Sequence, residues 1–434
     1  MRNGISFAGA GRLAVATGTL LAAGPASAED VLSHGDTAWM MTSTALVLLM
    51  TLPGLALFYG GLVRSKNVLS ILMQCLISAG LIGVLWIVVG YSLAFGDGNA
   101  FVGDFSKVML GHAGPETLSG TIPEYVFVMF QAMFAIITPA LMIGAFAERM
   151  RFGPYLAFIT LWVLGVYCPL AHMVWGGGMI GADGWGALDF AGGLVVHMSS
   201  GFSAIVAALF LGPRVGHGKQ PMPPHNLPLV LVGAALLWVG WFGFNAGSEL
   251  AADGTAGLAF LTTSTATSTA VLTWVIVEWL HQGKPTVLGA ATAAVAGLVS
   301  ITPACAFVSP GGSILVGLGG ALICYAFVMI VKPAAGYDDS LDVFGVHGIG
   351  GAWGALATAL FIAPFALPEG VSHGAQIATQ LKSIVFTALF APAVTIVILF
   401  ALRTAFGSLR PTREDEAVGL DQSQHNESAY IEAA

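Results

Sequence analysis

Charge is what this sequence has least of. Asp, Glu, Lys and Arg together make up 9% of its 434 residues, against about 25% in an ordinary soluble domain. A chain of this length cannot cover a water-facing surface with so few, so the solvent for most of it is a bilayer. Basic runs are missing too, and with a formal net charge of −8 nucleic acid is excluded as a partner. The four cysteines, Cys75, Cys168, Cys305 and Cys324, lie in apolar stretches without paired spacing. They read as small buried hydrophobes rather than disulfides or metal ligands. No metal-ligand cluster, phosphate-cradling loop or nucleophile with an adjacent base is present. An enzyme is therefore not expected, and no cofactor or metal is.

What is abundant is apolar sequence, 56% of the chain. The first 28 residues stand apart: Arg2 and Arg12 precede the apolar run Leu13 to Ala23, and Ala26-Ser27-Ala28 is a small-x-small cleavage signature. Residues 1–28 are expected to be a secretory signal peptide, which places the mature N-terminus outside the cytoplasm. Beyond it, distances between charges serve as a ruler, because a spanning helix needs about 20 apolar residues. Charge-poor intervals from Asp36 to Leu402 give eleven spans, the interval from Lys284 to Lys332 holding two, broken at Ser309-Pro310-Gly311-Gly312.

Orientation has its own test. Arg64, Lys66, Arg149, Arg151, Arg214, Lys219, Lys284 and Lys332 all fall in loops on one side, joined by Arg403, Arg410 and Arg413 after the last span, whereas the other side has only Lys107. Positive residues collect in the cytoplasm, so residues 403–434 form a cytoplasmic tail. Its composition alone, polar and acidic with Glu414-Asp415-Glu416, reads as a disordered solubilising segment.

Two spans match. The fifth begins Leu188-Asp189-Phe190 and reaches His197; the tenth begins Leu341-Asp342-Val343 and reaches His347. Five spans per half is odd, so the halves are inverted, and transporters with inverted repeats handle substrate near the midplane. The expected fold is an all-α integral membrane protein with an inverted five-helix repeat, spans 1–5 and 6–10, plus a final helix. His197 and His347, expected about two turns into their helices, would converge on one axis, since polar groups at that depth must pair or face a cavity. Asp189 and Asp342 read as N-caps, and Asp189 also as a helper for a cation on the outer side. Phe130, Phe134, Trp175 and the Trp241–Phe244 cluster fall at outer span ends; the pattern by itself reads as an interfacial aromatic belt.

The motifs Leu57-Phe58-Tyr59-Gly60-Gly61, Ala171-His172-Met173-Val174-Trp175-Gly176-Gly177, Asp189-Phe190-Ala191-Gly192-Gly193, Gly240-Trp241-Phe242-Gly243-Phe244-Asn245-Ala246-Gly247-Ser248 and Asp342-Val343-Phe344-Gly345-Val346-His347-Gly348 occur in order. Together they resemble the ammonium transporter (Amt/Rh) family, its bacterial Amt members above all, from about Gly54 to Tyr430. The resemblance implies an ammonium-binding vestibule of Phe130, Trp175 and Ser248 supported by Asp189. It implies a stacked gate of Phe134 and Phe244, and a twin-histidine pore of His197 and His347. It further implies ammonium transport across a bacterial inner membrane, with ammonia conducted after deprotonation and net proton transfer, by a homotrimer whose tail docks a PII-type signalling protein. The outer loop Asp183-Gly184-Trp185-Gly186 departs from the family pattern and leaves the vestibule rim open. Competing readings are an ammonium sensor that signals without flux, and a channel for a small neutral molecule such as carbon dioxide or urea.

Overall fold

In lipid, backbone N–H and C=O groups must be satisfied within the chain, so long apolar runs become helices. The computed structural model describes residues 31–430 and is almost wholly helical. The leader expected over residues 1–28 lies outside the described residues. Among those described, nine helices are long and apolar enough to cross a membrane: α1 His34–Leu62, α2 Ser65–Phe95, α3 Glu124–Phe146, α4 Phe152–Trp175, α5 Gly193–Leu211, α6 Leu227–Glu249, α7 Gly254–Gln282, α9 Pro310–Ala335 and α11 His373–Phe406. Two shorter helices complete the order, α8 Val287–Ile301 and α10 over residues 344–360. The shorter pair is central. Gly289, Ala291 and every residue from Ala293 to Ile301 are buried in α8. The chain after it, 302–306, stays buried as irregular backbone, which membrane depth tolerates only inside protein or beside a cavity.

Small residues bring the centre together, since packing rather than a hydrophobic effect associates helices in lipid. At Gly201 of α5 a Cβ would fall on the backbone of Gly348 in α10. The two histidine-bearing helices therefore touch main chain to main chain. The four cysteines are free and buried. Lys382, in the first half of α11, sits 3.6 Å over the ring of Trp185 and pins the divergent loop 183–186 to that helix.

On the face where the chain ends, charges form a lattice. Glu148, with left-handed backbone at φ 70°, accepts from the Arg64 amide at 2.8 Å and its Nε at 2.7 Å. Arg214 reaches the carboxylate of Asp338 through Nη2 at 2.9 Å and Nε at 3.0 Å, and Arg149 approaches it at 3.4 Å. Burial alone would push the Asp338 carboxyl up. The Arg214 hydrogen bonds and the two guanidinium charges outweigh it and hold the group well below the usual carboxylate range. Its share of stability is complete above the ordinary Asp value of about 3.9 and is lost only as pH falls through the lower folded value.

The tail is ordered on this lattice rather than solvated and free. Its helices α12 Arg413–Val418 and α13 Leu420–His425 lie across the turns between spans. Asp421 accepts from the amides of Leu69 at 3.0 Å and Ser70 at 2.8 Å, capping α2 from outside. Glu416 accepts from the Val215 amide at 2.6 Å and from Arg410, and Leu420 is 1% exposed. Composition could not show this, because the tail's acids find their donors on distant turns. Asp421→Ala leaves two N–H groups without their acceptor, the buried one of Ser70 at about 1–3 kcal/mol and the half-buried one of Leu69 at less. Limited proteolysis should then cut residues 411–430 at least tenfold faster while the span region stays intact; unchanged cleavage would mean that Asp421 does not hold the tail.

Candidate functional site

A column of rings runs inward from the face opposite the tail. Its mouth is a cavity of about 230 Å3 lined by Phe95, Phe127, Gln131, Phe134, Trp175, Phe190, Ser248 and Leu250. Trp175 closes α4, and its Nε1 donates to the Asp189 carbonyl at 2.8 Å, so the indole is fixed rather than free to rotate. Ser248 donates to the Phe244 carbonyl at 2.8 Å, which leaves its oxygen lone pairs open to a donor in the cavity. Phe130 is not on this lining. It is 0% exposed and meets Phe134 edge-on at 5.0 Å, buttressing the floor from behind.

Beneath the mouth, Phe134 and Phe244 stack with centroids 4.2 Å apart and planes inclined by 26°. The aromatic cluster is thus no interfacial belt: Phe134, Trp241 and Phe244 are all buried, because their helices turn these faces to the bundle axis. His197 follows, parallel to Phe244 at 6.1 Å and to Trp241 at 5.4 Å. Its Nδ1 lies 3.3 Å from Nδ1 of His347. The two imidazoles therefore meet, as their matching positions predict.

Hydrogen bonds assign the protons. The Thr302 hydroxyl donates to the Leu298 carbonyl at 2.7 Å and accepts from Trp241 Nε1 at 2.8 Å. Its remaining lone pair faces His197 Nε2 at 3.3 Å, so that nitrogen carries hydrogen. In the neutral ring His197 Nδ1 is then the acceptor, His347 Nδ1 the donor, and His347 Nε2 is left with a free lone pair. Around the pair lies an apolar lumen of about 10 Å3 lined by Leu55, Tyr59, Ile137, Leu237, Val295 and both histidines among others, room for roughly one water-sized molecule. Past His347 a wider cavity of about 340 Å3 opens toward the tail face.

Both histidines lie in wide π-helical turns, Gly193–Met198 and Phe344–Ile349, features that recur at functional sites. They stand about one turn into their helices, not two, because the chain ahead of each is an irregular capping segment. Asp189 supplies the first cap. Its carboxylate accepts from the amides of Gly192 at 2.9 Å, Gly193 at 2.5 Å, Leu194 at 2.8 Å and Val195 at 3.2 Å. Asp342 does not match it. Asp342 has left-handed backbone at φ 63° and pairs with Lys332 Nζ at 2.6 Å. Asp339 is the cap, accepting from the Phe344 amide at 2.7 Å, and like Asp189 it stands eight residues ahead of its histidine. The Asp342 motif is the more conspicuous in sequence, which is why the register slips by three.

Thr302, Trp241, Phe127 and Gln131 belong to the site and were not among the residues predicted for it. A glutamine inside an apolar helix was a usable signal for Gln131; nothing local marks Thr302, whose role needs the two neighbours it joins.

The Ammonium Transporter Family matches residues 38–430. An ammonium transporter of Bacillus subtilis is 48% identical, over 91% of this chain and 98% of its own, and one of Aquifex aeolicus is 46% identical over 93% and 95%. Among solved structures, Candida albicans Mep2 superposes with a TM-score of 0.80 at 36% identity, covering 88% of this chain and 87% of that one. A structure described as a sensor Amt protein gives 0.82 at 30% identity, covering 89% and 97%. A stacked phenylalanine pair above two bonded histidines, on a helical bundle whose family match runs over residues 38–430, thus belongs to a non-enzymatic, multi-pass membrane protein of the ammonium transporter family.

Proposed function

We propose that the chain recruits ammonium at Trp175 and Ser248, strips a proton from it above or between the Phe134–Phe244 pair, and passes ammonia along the lumen beside His197 and His347. The observation that carries this reading is the continuous ring column ending in a lumen wide enough for one small molecule. A bare cation in such a space faces a desolvation cost of tens of kcal/mol by Born estimates. Losing a proton is cheaper: with the lysine ammonium as guide, pKa about 10.4, neutralisation at pH 7 costs roughly 5 kcal/mol. Potassium has no proton to lose. Trp175 offers a cation–π face, up to about 2 kcal/mol when desolvated, but potassium also satisfies it, so discrimination lies at the histidines. The released proton crosses as well, by way of the histidine pair, and transport is electrogenic.

In this reading all eleven helices cross a bacterial inner membrane, α1–α5 and α6–α10 as inverted repeats, with the mature N-terminus outside and the tail face cytoplasmic. Residues 1–28 are removed as a signal peptide, 29–402 form the transport domain, and 403–434 are a regulatory tail. Three chains assemble, each with its own pore, and the docked tail is the platform for a PII-type protein. A second reading, an ammonium sensor, draws on the likeness to the sensor Amt protein. Currents from reconstituted liposomes separate them. Ammonium and methylammonium should evoke saturable current and potassium none; ammonium binding without current would establish the sensor instead.

A further inference from the structure

Residues 186–189, the strap that leads into Asp189, have no regular secondary structure, so their backbone groups must find partners elsewhere in the protein. They find them on α11. Gln376 Nε2 donates to the Gly186 carbonyl at 3.1 Å. One turn on, Gln380 meets Leu188 twice: its Oε1 accepts from the Leu188 amide and its Nε2 donates to the Leu188 carbonyl, each at 2.8 Å. The second Nε2 hydrogen goes to the Ala355 carbonyl of α10 at 2.9 Å. Gln380 is 0% exposed, so a polar side chain inside an apolar span spends all its donors on two backbone segments.

A hydroxyl has too few donors for this task and a carboxylate has none. A primary amide carries an acceptor and two donors on one rigid plane. It holds both the N–H and the C=O of Leu188, as a neighbouring strand would, and so fixes the direction of the backbone as well as its place. The next residue is Asp189, whose carbonyl accepts from Trp175 Nε1 at 2.8 Å. Past it, the Phe190 amide donates to the Pro303 carbonyl at 3.2 Å. The carbonyl that orients the indole is therefore held from both sides, by Gln380 ahead of it and Pro303 behind. The four amides on the Asp189 carboxylate secure the start of α5; the backbone ahead of Asp189 depends on Gln380.

We propose that Gln380 is a positioning residue for the vestibule: through Leu188 and Asp189 it sets the Trp175 indole in the orientation that receives ammonium. The inference rests on the transport reading above. Gln380 is not on the lining of the mouth cavity and touches no substrate. Its bond to Ala355 ties the strap to the helix that carries His347, so the vestibule wall and the pore wall keep one spacing. Loss of the amide frees the strap, the Asp189 carbonyl turns, and the indole loses its fixed face toward the cavity while the histidine pair stays as it is.

Ammonium currents from liposomes holding the full chain test this through the split between half-saturation and maximum. Gln380→Met keeps the side chain's length without its amide. It should raise the half-saturating ammonium concentration about tenfold, as expected for losing much of a cation–π contact, with the maximal current per reconstituted protein within about twofold of wild type. A purely structural role predicts the reverse, less active protein at an unchanged half-saturating concentration, and that result overturns the proposal. In a Trp175→Leu background the same substitution should shift half-saturation by less than about twofold, because the two residues act on one contact; a shift as large as in wild type overturns it too. Should Gln380→Met not be recovered from membranes, Gln380→Asn keeps the amide but draws it back by one methylene. It should raise half-saturation at least about threefold, and an unchanged value there is equally fatal. Wild type without ammonium current would sink the transport reading itself, whereas conducting variants with wild-type half-saturation sink only this inference.

Discussion

With alanine at both His197 and His347, the reconstituted protein should still assemble but no longer tell ammonium from potassium. The two rings stand in a lumen whose lining is mostly apolar, Leu55, Ile137, Leu237 and Val295 among others. Removing them opens space for several waters, and a hydrated path lowers the barrier to any small cation. The advantage of shedding a proton, roughly 5 kcal/mol against tens for a bare ion, then disappears. Under opposed ammonium and potassium gradients, the permeability ratio should fall from above a hundredfold to within a factor of about ten, a loss of at least 1.4 kcal/mol of discrimination. Folding should survive, because Thr302 keeps its bonds to Trp241 and Leu298 and no charge is orphaned. Preserved selectivity in the double variant would refute the filter. The single variants differ in kind: loss of His197 leaves a donor on His347 unmet, and loss of His347 leaves an acceptor on His197 unmet.

Asp189→Ala has the larger expected effect on stability. Four buried amides, those of Gly192, Gly193, Leu194 and Val195, lose their acceptor at once. At about 1–3 kcal/mol per buried orphan the four sum to roughly 4–12 kcal/mol before any relief by water, comparable to the whole net stability of an ordinary domain. Detergent-solubilised protein should lose more than about 10 °C in Tm and its recovery from membranes should collapse. The same carboxylate serves the vestibule indirectly: it fixes the turn whose carbonyl holds Trp175. Its own oxygens are occupied, so a direct contact with a cation is not its task. An Asp189→Ala protein with wild-type Tm would show that water, not this side chain, satisfies the helix start.

The conspicuous motifs hold residues that the fold brings into one column and two that it places elsewhere. His197, His347, Phe134, Phe244, Trp175 and Ser248 lie along one column, whereas Phe130 is buried behind the cavity at its mouth and Asp342 yields its capping role to Asp339. Both displacements have one origin. A motif says that a residue belongs near a site, but which side of the helix faces the lumen depends on the neighbour packed against it. For Phe130 that neighbour is Phe134, and for Asp342 it is Lys332, on another helix.

By itself the sequence determined the membrane environment and the helical class, because charge scarcity and apolar run length depend only on composition along the chain. It also supplied the residue types from which the site is made. Only the tertiary structure decided which lone pair is free. The chain Leu298–Thr302–His197–His347 joins residues from α8, its following turn, α5 and α10, and the proton positions follow from who donates to whom across those contacts. It likewise decided that an acidic tail is bound rather than free, since the amides that hold Asp421 and the amide of Val215 that meets Glu416 come from distant parts of the chain. Hydrogen bonds are short-ranged in space, and proximity in space is what a linear sequence does not record.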